Sequence, residues 1–237
     1  MQIVGVIPSR YDSNRFPGKP LVDILGKSMI QRVYKQCKKC ALLNDVIVAT
    51  DDKRIYNHVL KFGGKPMMTS KTHNSGTDRC NEVVRNLNKN YDLIVNIQGD
   101  EPYINPKQIE SIINLFDNDA TQIGTLAKKI TDLDIIKNKN CPKAIFDKDG
   151  VALNFCRTIT DFSSEYTYYK HIGIYAYKTK VLNEICKLSQ SKNEKNESLE
   201  QLRWLDNGCE IKVGITTFES MSVDTPEDII KIEAKMR

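Results

Sequence analysis

The sequence has few of the features that mark membrane, secreted or nucleic-acid-binding proteins. No apolar run approaches the roughly 18 residues that a membrane-spanning helix requires, and no signal peptide is evident at the start of the chain. No block of lysine or arginine is long enough to form a nucleic-acid-binding arm, and the net charge of +5 suits an anionic small ligand equally well. The composition, 40% apolar and 27% charged, is typical of a soluble protein, and 237 residues suffice for one large domain.

Cysteine pairs of the secreted or zinc-binding kind are also scarce. The seven cysteines are odd in number and scattered through predicted core segments, which indicates reduced thiols in the cytoplasm. Cys37 and Cys40 form a single CxxC motif late in a lysine-rich predicted helix. Because no second pair or histidine cluster completes a zinc site, we interpret both thiols as structural, with metal or redox use as the alternative.

Buried strands alternate with amphipathic helices along the first half of the chain. This βαβ pattern predicts an α/β fold with a Rossmann-like, mostly parallel sheet and helices on both faces. The predicted strands are 2–8, 45–50, 65–69 and 92–98, and the predicted helices are 28–41, 52–62, 77–88 and 106–118.

The second half is richer in strands and predicts a smaller antiparallel part attached to that sheet. The sequence Asp147 to Gly150 is a hairpin turn signal, and the polar stretch 188–198 predicts an exposed loop. We therefore expect one domain, 1–237, with a strand-rich subdomain around 121–178. The predicted strands are 121–128, 141–147, 151–157, 170–178 and 210–217, and the predicted helices are 179–188, 198–206 and one from Pro226.

The loop after the first strand, IPSRYDSNRFPGKP, lacks the glycine-rich phosphate-binding sequence GxGxxG. It carries Arg10, Arg15 and Lys19 instead, at the strand end where open α/β sheets bind ligands. Arginine and lysine bind phosphate through charge-assisted hydrogen bonds, and three prolines stiffen this backbone. The loop therefore predicts a triphosphate site, with solvated surface cations as the alternative.

Two acidic positions favour a magnesium site. Asp100 and Glu101 directly follow the strand in VNIQGDEP, where a carboxylate can hold Mg²⁺ together with phosphate oxygens, or alternatively cap a helix. Near the C-terminus, Thr225 to Asp228 are typical of a helix start, with threonine as the N-cap and an acid at the third position. Asp224 lies just outside that cap and is free to face a cleft.

Six sequence blocks together resemble the CMP-Kdo synthetases, the 3-deoxy-manno-octulosonate cytidylyltransferases. The resemblance extends from Ile7 to the last helix, with the blocks in the family's order. It implies a nucleotide-diphospho-sugar transferase-like fold in which arginine and lysine replace the glycine-rich loop of related cytidylyltransferases. The blocks are PSRYDSNRFPGKPL (8–21), HNSGTDR (73–79), NIQGDEP (96–102), YKHIGIYAY (169–177), ESLEQLR (197–203) and VDTPED (223–228).

The resemblance implies an enzyme that joins CTP and Kdo into CMP-Kdo and pyrophosphate, with Mg²⁺ as cofactor. It further implies a cytoplasmic homodimer, formed through the antiparallel part, that serves lipopolysaccharide or capsule biosynthesis. The residues implied to bind the nucleotide are Pro8, Arg10, Ser13, Arg15, Lys19, Ser75, Gly76 and Thr77. Those implied to act in catalysis are Lys19, Arg15, Asp100 and Asp224, of which Asp100 and Asp224 would be the metal ligands. Those implied to bind the sugar are Gln98, Arg157, His171, Glu200 and Gln201.

The sequence departs from the family pattern mainly on the sugar side. Cys156 stands where serine is usual, Ser222 stands where glycine is common, and the segment 158–168 differs from the longer family version. The same reaction on 8-amino-Kdo or another acidic sugar therefore stays open, as does a non-catalytic nucleotide-sensing protein on the same fold.

Several candidate residues have a structural alternative. His171 begins an apolar strand and is equally plausible as a core polar residue. Glu200 and Gln201 are adjacent and cannot both lie on one narrow face of a helix, so one of them is expected to be structural. Trp204 lies at core spacing on a predicted helix and is interpreted as core.

Overall fold

The computed structural model describes residues 1–12, 16–160, 162–163, 165–219 and 221–236. The chain divides into two compact units. Unit 1 comprises Met1–Glu110 together with Glu219–Arg237, and unit 2 comprises Ser111–Phe218. The strand-rich segment predicted at 121–178 lies within unit 2.

Unit 1 is built on four parallel strands flanked by helices. Strand β1 (Ile3–Ser9) pairs with β6 (Leu93–Asn96) on one side and with β4 (Asp45–Thr50) on the other, and β4 pairs with β5 (Pro66–Met68). The parallel βα alternation predicted for the first half is therefore confirmed. The strands of unit 1 are β1 (Ile3–Ser9), β2 (Asp23–Ile24), β3 (Lys27–Ser28), β4 (Asp45–Thr50), β5 (Pro66–Met68) and β6 (Leu93–Asn96). Its helices are α1 (Met29–Cys37), α2 (Lys53–Lys61), α3 (Gly76–Asn86) and α9 (Pro226–Met236), and α4 (Pro106–Asn114) carries the chain into unit 2.

Polar side chains begin the first three helices. Ser28, Asp52 and Ser75 are the N-cap residues of α1, α2 and α3, and each side-chain oxygen accepts a backbone N–H from the first turn. These bonds satisfy amide groups that would otherwise lack a helical partner. Because α2 and α3 are the next elements after β4 and β5, their N-terminal ends follow the carboxyl ends of those strands.

A short hairpin of β2 and β3 was not predicted from the sequence. Its two turn residues, Leu25 and Gly26, have φ values of 49° and 78°, which the mirror-image turn of a tight hairpin requires. Leucine rarely adopts that conformation, so no turn residue marks this hairpin in the sequence. The Arg32 side chain donates hydrogen bonds to the carbonyl groups of Ile24 and Leu25, which holds the turn in place.

Unit 2 is a mixed sheet with four short helices. Strand β7 (Ile123–Lys129) pairs antiparallel with β10 (Tyr169–Lys178) and parallel with β11 (Ile211–Ile215), while β8 (Lys143–Phe146) pairs antiparallel with both β10 and β9 (Ala152–Cys156). The strands are β7 (Ile123–Lys129), β8 (Lys143–Phe146), β9 (Ala152–Cys156), β10 (Tyr169–Lys178) and β11 (Ile211–Ile215). The helices are α5 (Leu133–Lys137), α6 (Thr179–Ile185), α7 (Lys192–Glu197) and α8 (Gln201–Asp206).

The turn between β8 and β9 confirms the predicted hairpin. Gly150 has a φ of 75°, and the Asp147 side chain accepts the backbone N–H groups of Asp149 and Val151 at 2.9 and 2.8 Å.

The exposed loop predicted at 188–198 is wrong in its central part, which forms helix α7. Ser191 and Glu194 form a capping box at the start of this helix. Glu194 is buried and binds Arg203 on α8 through two hydrogen bonds of 2.8 and 2.6 Å. A polar composition hid this helix because its buried side is a charge pair rather than an apolar stripe.

All seven cysteines are free, and Cys37 and Cys40 are buried. Burial raises the pKa of both thiols, so they are poor nucleophiles and poor metal ligands.

Among the described helices, none combines the length and apolarity needed to cross a bilayer.

Candidate active site

The loops after β1 and β6 lie side by side because those two strands are parallel neighbours. Their approach depends on Gly99, where a Cβ atom would stand 2.6 Å from the carbonyl oxygen of Pro8. No side chain fits in that space without moving the backbone. Gly99 therefore lets the segment that carries Asp100 pass directly beside the end of β1.

Lys19 links the two acidic positions that the sequence singled out. Its Nζ donates hydrogen bonds to Oδ2 of Asp100 at 2.8 Å and to the carbonyl oxygen of Val223 at 2.7 Å. Oδ1 of Asp224 lies 3.9 Å from the same nitrogen. One ammonium group thus brings together residues that are 81 and 205 positions away from it along the chain.

Val223 explains how the C-terminal segment reaches this place. Its backbone N–H donates to the carbonyl oxygen of Asp100 at 2.9 Å, while its side chain is fully buried. That side chain lies in an apolar cluster with Ile24, Met29 and Ile232. Burial of a valine contributes about 1.5–3 kcal/mol, which is enough to hold the neighbouring Asp224 next to Asp100. The sequence analysis did not identify this role.

Helix α9 starts at Pro226, as predicted, and the acid at its third position makes two backbone contacts. Asp228 accepts the backbone N–H of Thr225 at 3.1 Å, as the acid at the third position of a capping box does. The same oxygen accepts the backbone N–H of Asp224 at 3.1 Å. Desolvation by itself would raise the pKa of Asp228, but these backbone donors and Lys231 leave the pKa lowered. Asp228 therefore stays ionised and orients the backbone that carries Asp224.

The two carboxylates fit a magnesium ion. Asp100 and Asp224 are 28% and 42% exposed, so both can reach a ligand from solvent. Mg²⁺ is typically held by one or two carboxylates, with phosphate oxygens and water completing its shell. In the described part of the chain, no group of three or more His, Cys, Asp or Glu side chains could hold a metal. The two carboxylates alone therefore do not complete the coordination shell of such an ion.

Glu101 and Asp100 do not cap a helix, which removes the structural alternative considered for them. Helix α4 begins only at Pro106. Glu101 is buried, and its backbone carbonyl accepts the N–H of Ile104.

The N-terminal end of α3 lies against the end of β1. A Cβ atom at Gly76 would stand 3.3 Å from Cγ of Pro8, so the helix start is packed closely on that strand. Ser75 Oγ accepts the backbone N–H of Asp78 at 3.1 Å, and Thr77 is buried. The predicted nucleotide-binding residues Pro8, Ser75, Gly76 and Thr77 are therefore neighbours within unit 1.

A buried ion pair anchors helix α3 to the segments that follow β4 and β5. Arg79 is 1% exposed; its Nη2 donates to Oδ2 of Asp51 at 2.9 Å, and its Nη1 donates to the Thr69 hydroxyl. Asp51 follows β4 and Thr69 follows β5, so this guanidinium joins α3 to two strand ends. The motif HNSGTDR contained Arg79, but the sequence alone did not reveal that it is buried.

The remaining loop cations are only partly described. Arg10 is exposed at the end of β1. The predicted residues Ser13 and Arg15 lie outside the described residues. Gln98, predicted to reach the sugar, is half-buried two residues after β6.

In unit 2, Arg157 and His171 have structural partners. The Arg157 guanidinium donates to the carbonyl groups of Lys139, Glu197 and Ser198, at 3.2, 2.6 and 3.2 Å. The bonds to Glu197 and Ser198 satisfy carbonyl groups at the C-terminal end of α7, which lack helical partners.

His171 is buried beside Thr125, whose Oγ lies 3.0 Å from His171 Nε2. Thr125 also lies 2.9 Å from the carbonyl oxygen of Ile174, so its hydroxyl can donate there and accept from Nε2–H. Burial lowers the pKa of His171 to about 3, which keeps the ring neutral. This environment favours the core-residue alternative.

Glu200 and Gln201 differ in burial, as adjacent residues on a helix should. Glu200 is half-buried at the start of α8, and Gln201 is 3% exposed. Nε2 of Gln201 is buried without a hydrogen-bond partner in the described part of the chain. Trp204 lies in the core against the rings of Tyr175 and Tyr177, as predicted.

Comparison with known proteins agrees with this architecture. A family model described as Cytidylyltransferase matches residues 4–213, and the chain belongs to that family. A protein from Parabacteroides distasonis named 3-deoxy-manno-octulosonate cytidylyltransferase is 51% identical, over 98% of this chain and 96% of that protein. A protein of the same name from Phocaeicola vulgatus is 49% identical, over 100% and 98%.

A solved structure gives the same result at the level of the fold. The structure of a CMP:2-keto-3-deoxy-manno-octonic acid synthetase complexed with CTP superposes with a TM-score of 0.94 at 39% identity. The match covers 100% of this chain and 98% of the other.

Proposed function

We propose that the protein transfers the cytidylyl group of CTP to Kdo, giving CMP-Kdo and pyrophosphate. The observation that carries this proposal is the meeting of Lys19, Asp100 and Asp224 at the carboxyl edge of a parallel sheet. Two relatives support it: both are about half identical to this chain over nearly its whole length, and both are named for this activity.

The cations of the loop after β1 would bind the triphosphate. Lys19 would balance the charge on the phosphates, and Arg10, Ser13 and Arg15 would contribute further donors. Ionic donors are suited to this task because their hydrogen bonds to phosphate oxygens are shorter and stronger than neutral ones. The packed start of α3, with Ser75, would line the pocket for the cytosine and ribose.

Asp100 and Asp224 would hold Mg²⁺ beside the phosphates. Bound there, the ion would neutralise phosphate charge and favour ionisation of the attacking hydroxyl. Lys19 pairs with Asp100 in this structure, so its ammonium group would become available to the phosphates if the two carboxylates held the ion.

The bond changes are those of a substitution at phosphorus. The anomeric hydroxyl oxygen of Kdo forms a bond to the α-phosphorus of CTP, the bond to the β-phosphate oxygen breaks, and the hydroxyl proton is released to solvent. Catalysis then consists mainly of holding the reactants in line and stabilising the charge of the departing pyrophosphate. Lys19 and Arg15 would supply that charge.

The candidate sugar-binding residues differ in how well the structure supports each of them. Gln98, Arg157, His171, Glu200 and Gln201 are the candidates that the resemblance implies. The unpartnered Nε2 of Gln201 supports a ligand contact there, since a buried amide without a partner costs about 1–3 kcal/mol. Arg157 and His171 have less support, because their polar groups already have protein partners.

The setting of the reaction is also a proposal. Free thiols suit a reducing compartment, so we place the enzyme in the cytoplasm, with CMP-Kdo used for lipopolysaccharide or capsule. We further propose a homodimer formed through the antiparallel strands of unit 2, where Leu153 on β9 and Tyr166, three residues before β10, are exposed at 63% and 66%.

The test is a pyrophosphate-release assay on the purified protein with CTP, ATP, GTP and UTP, each with and without Mg²⁺. Kdo and 8-amino-Kdo are supplied as alternative acceptors. We expect release only with CTP, Kdo and Mg²⁺. Faster release with 8-amino-Kdo would move the proposal to that sugar, and CTP binding without any release would indicate a nucleotide sensor.

A further inference from the structure

A guanidinium group that the proposed reaction does not use covers one face of Tyr11 in unit 1. Cζ of Arg54 lies 3.2 Å from the centroid of the Tyr11 ring, over its electron-rich face. Arg54 belongs to the first turn of α2, and Tyr11 follows Arg10 in the loop after β1. The contact therefore joins a helix to the loop that carries the predicted phosphate-binding cations.

The Arg54 side chain is itself held in one orientation. Its Nε and Nη2 donate to the two oxygens of Asp52 at 2.9 and 2.6 Å. The same carboxylate caps α2 by accepting the backbone N–H of Arg54 at 2.8 Å. Since a bidentate carboxylate fixes the plane of a guanidinium, Arg54 presents a preformed surface to the ring.

Tyr11 also contacts the far end of the loop. Its carbonyl oxygen accepts the backbone N–H of Gly18 at 2.9 Å, which ties the loop together at its base. Gly18 has a φ of 73°, and a Cβ atom there would stand 3.2 Å from Cζ and Oη of the ring. Gly18 directly precedes Lys19, so the placement of the ring bears on the placement of the ammonium.

We propose that Arg54 is a positioning residue for CTP, acting through Tyr11. By holding the ring over the loop base, Arg54 keeps Lys19 and its neighbours in a geometry ready for phosphate. A loop that is ordered in advance loses less conformational entropy on binding, so its ligand binds more tightly. The inference rests on the proposed function, because it concerns the triphosphate of CTP at the same loop.

The test measures CTP affinity of the full-length protein by calorimetry, together with KM and kcat, for Arg54→Ala, Arg54→Lys and Lys53→Ala. Lys53 is the matched control, since it is the adjacent exposed cation on α2 and its loss changes the net charge equally. Arg54→Ala should weaken CTP binding about three- to tenfold, with the KM for Kdo unchanged. Arg54→Lys should be intermediate, because an ammonium keeps the cation–π contact but lacks the bidentate geometry. Lys53→Ala should resemble the wild type.

A double-mutant cycle with Tyr11→Leu separates indirect from direct action. If Arg54 works through the ring, Arg54→Ala should cost little once Tyr11→Leu is present. If the losses of CTP affinity in the two single variants instead multiply in the double variant, Arg54 contacts the phosphates directly, and the proposal is overturned. Equal losses of CTP affinity in Arg54→Ala and Lys53→Ala would also overturn the proposal, because the effect would then come only from removing one positive charge near the site.

Folding does not confound this test. The Arg54 side chain is 57% exposed, and unfolding midpoints of each variant should stay near the wild-type value. Unchanged CTP affinity in a folded Arg54→Ala protein would reject the positioning role while leaving the proposed function intact. A wild-type protein without CTP affinity would reject the proposed function, and this inference with it.

Discussion

Lys19 and Asp100 form a hydrogen-bonded ion pair of 2.8 Å between the loop after β1 and the loop after β6. The pair is only partly exposed, with 15% of the Lys19 side chain and 28% of the Asp100 side chain accessible. The proposed phosphate-binding cation and the proposed metal ligand thus neutralise each other's charge in this structure. The first prediction concerns the anion.

Asp100→Asn should leave CTP binding measurable and reduce turnover by about 10²-fold or more. The amide keeps the size of the side chain and can still accept from Lys19, but it provides no charge for a divalent ion. Pyrophosphate release and calorimetric CTP titration check this result, with the exposed Asp119→Asn as a control. Near-normal turnover in Asp100→Asn would remove the assignment of Asp100 as a metal ligand.

Gly99→Ala should lower both stability and kcat/KM. The added methyl group would stand 2.6 Å from the Pro8 carbonyl oxygen, so the two loop backbones must separate at a cost of about 1–3 kcal/mol. Gly208→Ala is the comparison, since a Cβ there meets nothing within 4 Å and the cost comes from the left-handed backbone alone. It should lower stability without changing activity. Equal activity losses in both variants would contradict the argument.

The buried pair of Arg79 and Asp51 should dominate a stability measurement. Asp51→Ala leaves the 1%-exposed guanidinium without its anion, which typically costs about 3–5 kcal/mol. Urea unfolding of this variant and of Lys187→Ala makes the comparison, because Lys187 pairs with Glu184 on the surface. A surface pair contributes little, so Lys187→Ala should unfold near the wild-type midpoint. Similar unfolding midpoints for both variants would show that the Arg79–Asp51 pair contributes no more to stability than a surface ion pair.

His171 should make the protein less stable at mildly acidic pH. Burial lowers its pKa to about 3, whereas an unfolded histidine has a pKa near 6.5. Between those values the unfolded state binds a proton that the folded state does not, so stability falls as the pH decreases through this window. The loss from pH 7 to pH 5 should be about 2 kcal/mol from this residue.

The variant His171→Gln tests that origin, because glutamine can donate to Thr125 but does not titrate. Its unfolding free energy should fall about 2 kcal/mol less than the wild-type value between pH 7 and pH 5. His58, whose pKa is also lowered by burial, contributes equally to both proteins and cancels. An unchanged pH slope in the variant would assign the acid sensitivity to other groups.

The sequence predicted well what depends on pattern and strand direction. Parallel strands place their carboxyl ends at one edge, so Lys19 and Asp100 could be expected near each other before any coordinates. The start of α9 could be predicted equally well, because Thr225 and Asp228 match a capping box by residue type and spacing.

The features that the sequence did not predict depend on long-range pairing or unusual backbone. Helix α7 was missed because Glu194 is buried against Arg203, a partner on another helix. The hairpin of β2 and β3 was missed because Leu25 adopts a positive φ. The role of Val223 requires knowing which apolar cluster receives it, and no local signal contains that information.

The most direct test of the central claim is a double-mutant cycle of Asp100→Asn and Asp224→Asn in the pyrophosphate-release assay. If both carboxylates serve one metal–nucleotide complex, the double variant should be about as slow as the slower single variant, since the first substitution already disables the shared unit. Losses that multiply across the two substitutions would show that Asp100 and Asp224 act at independent places, which would contradict the account.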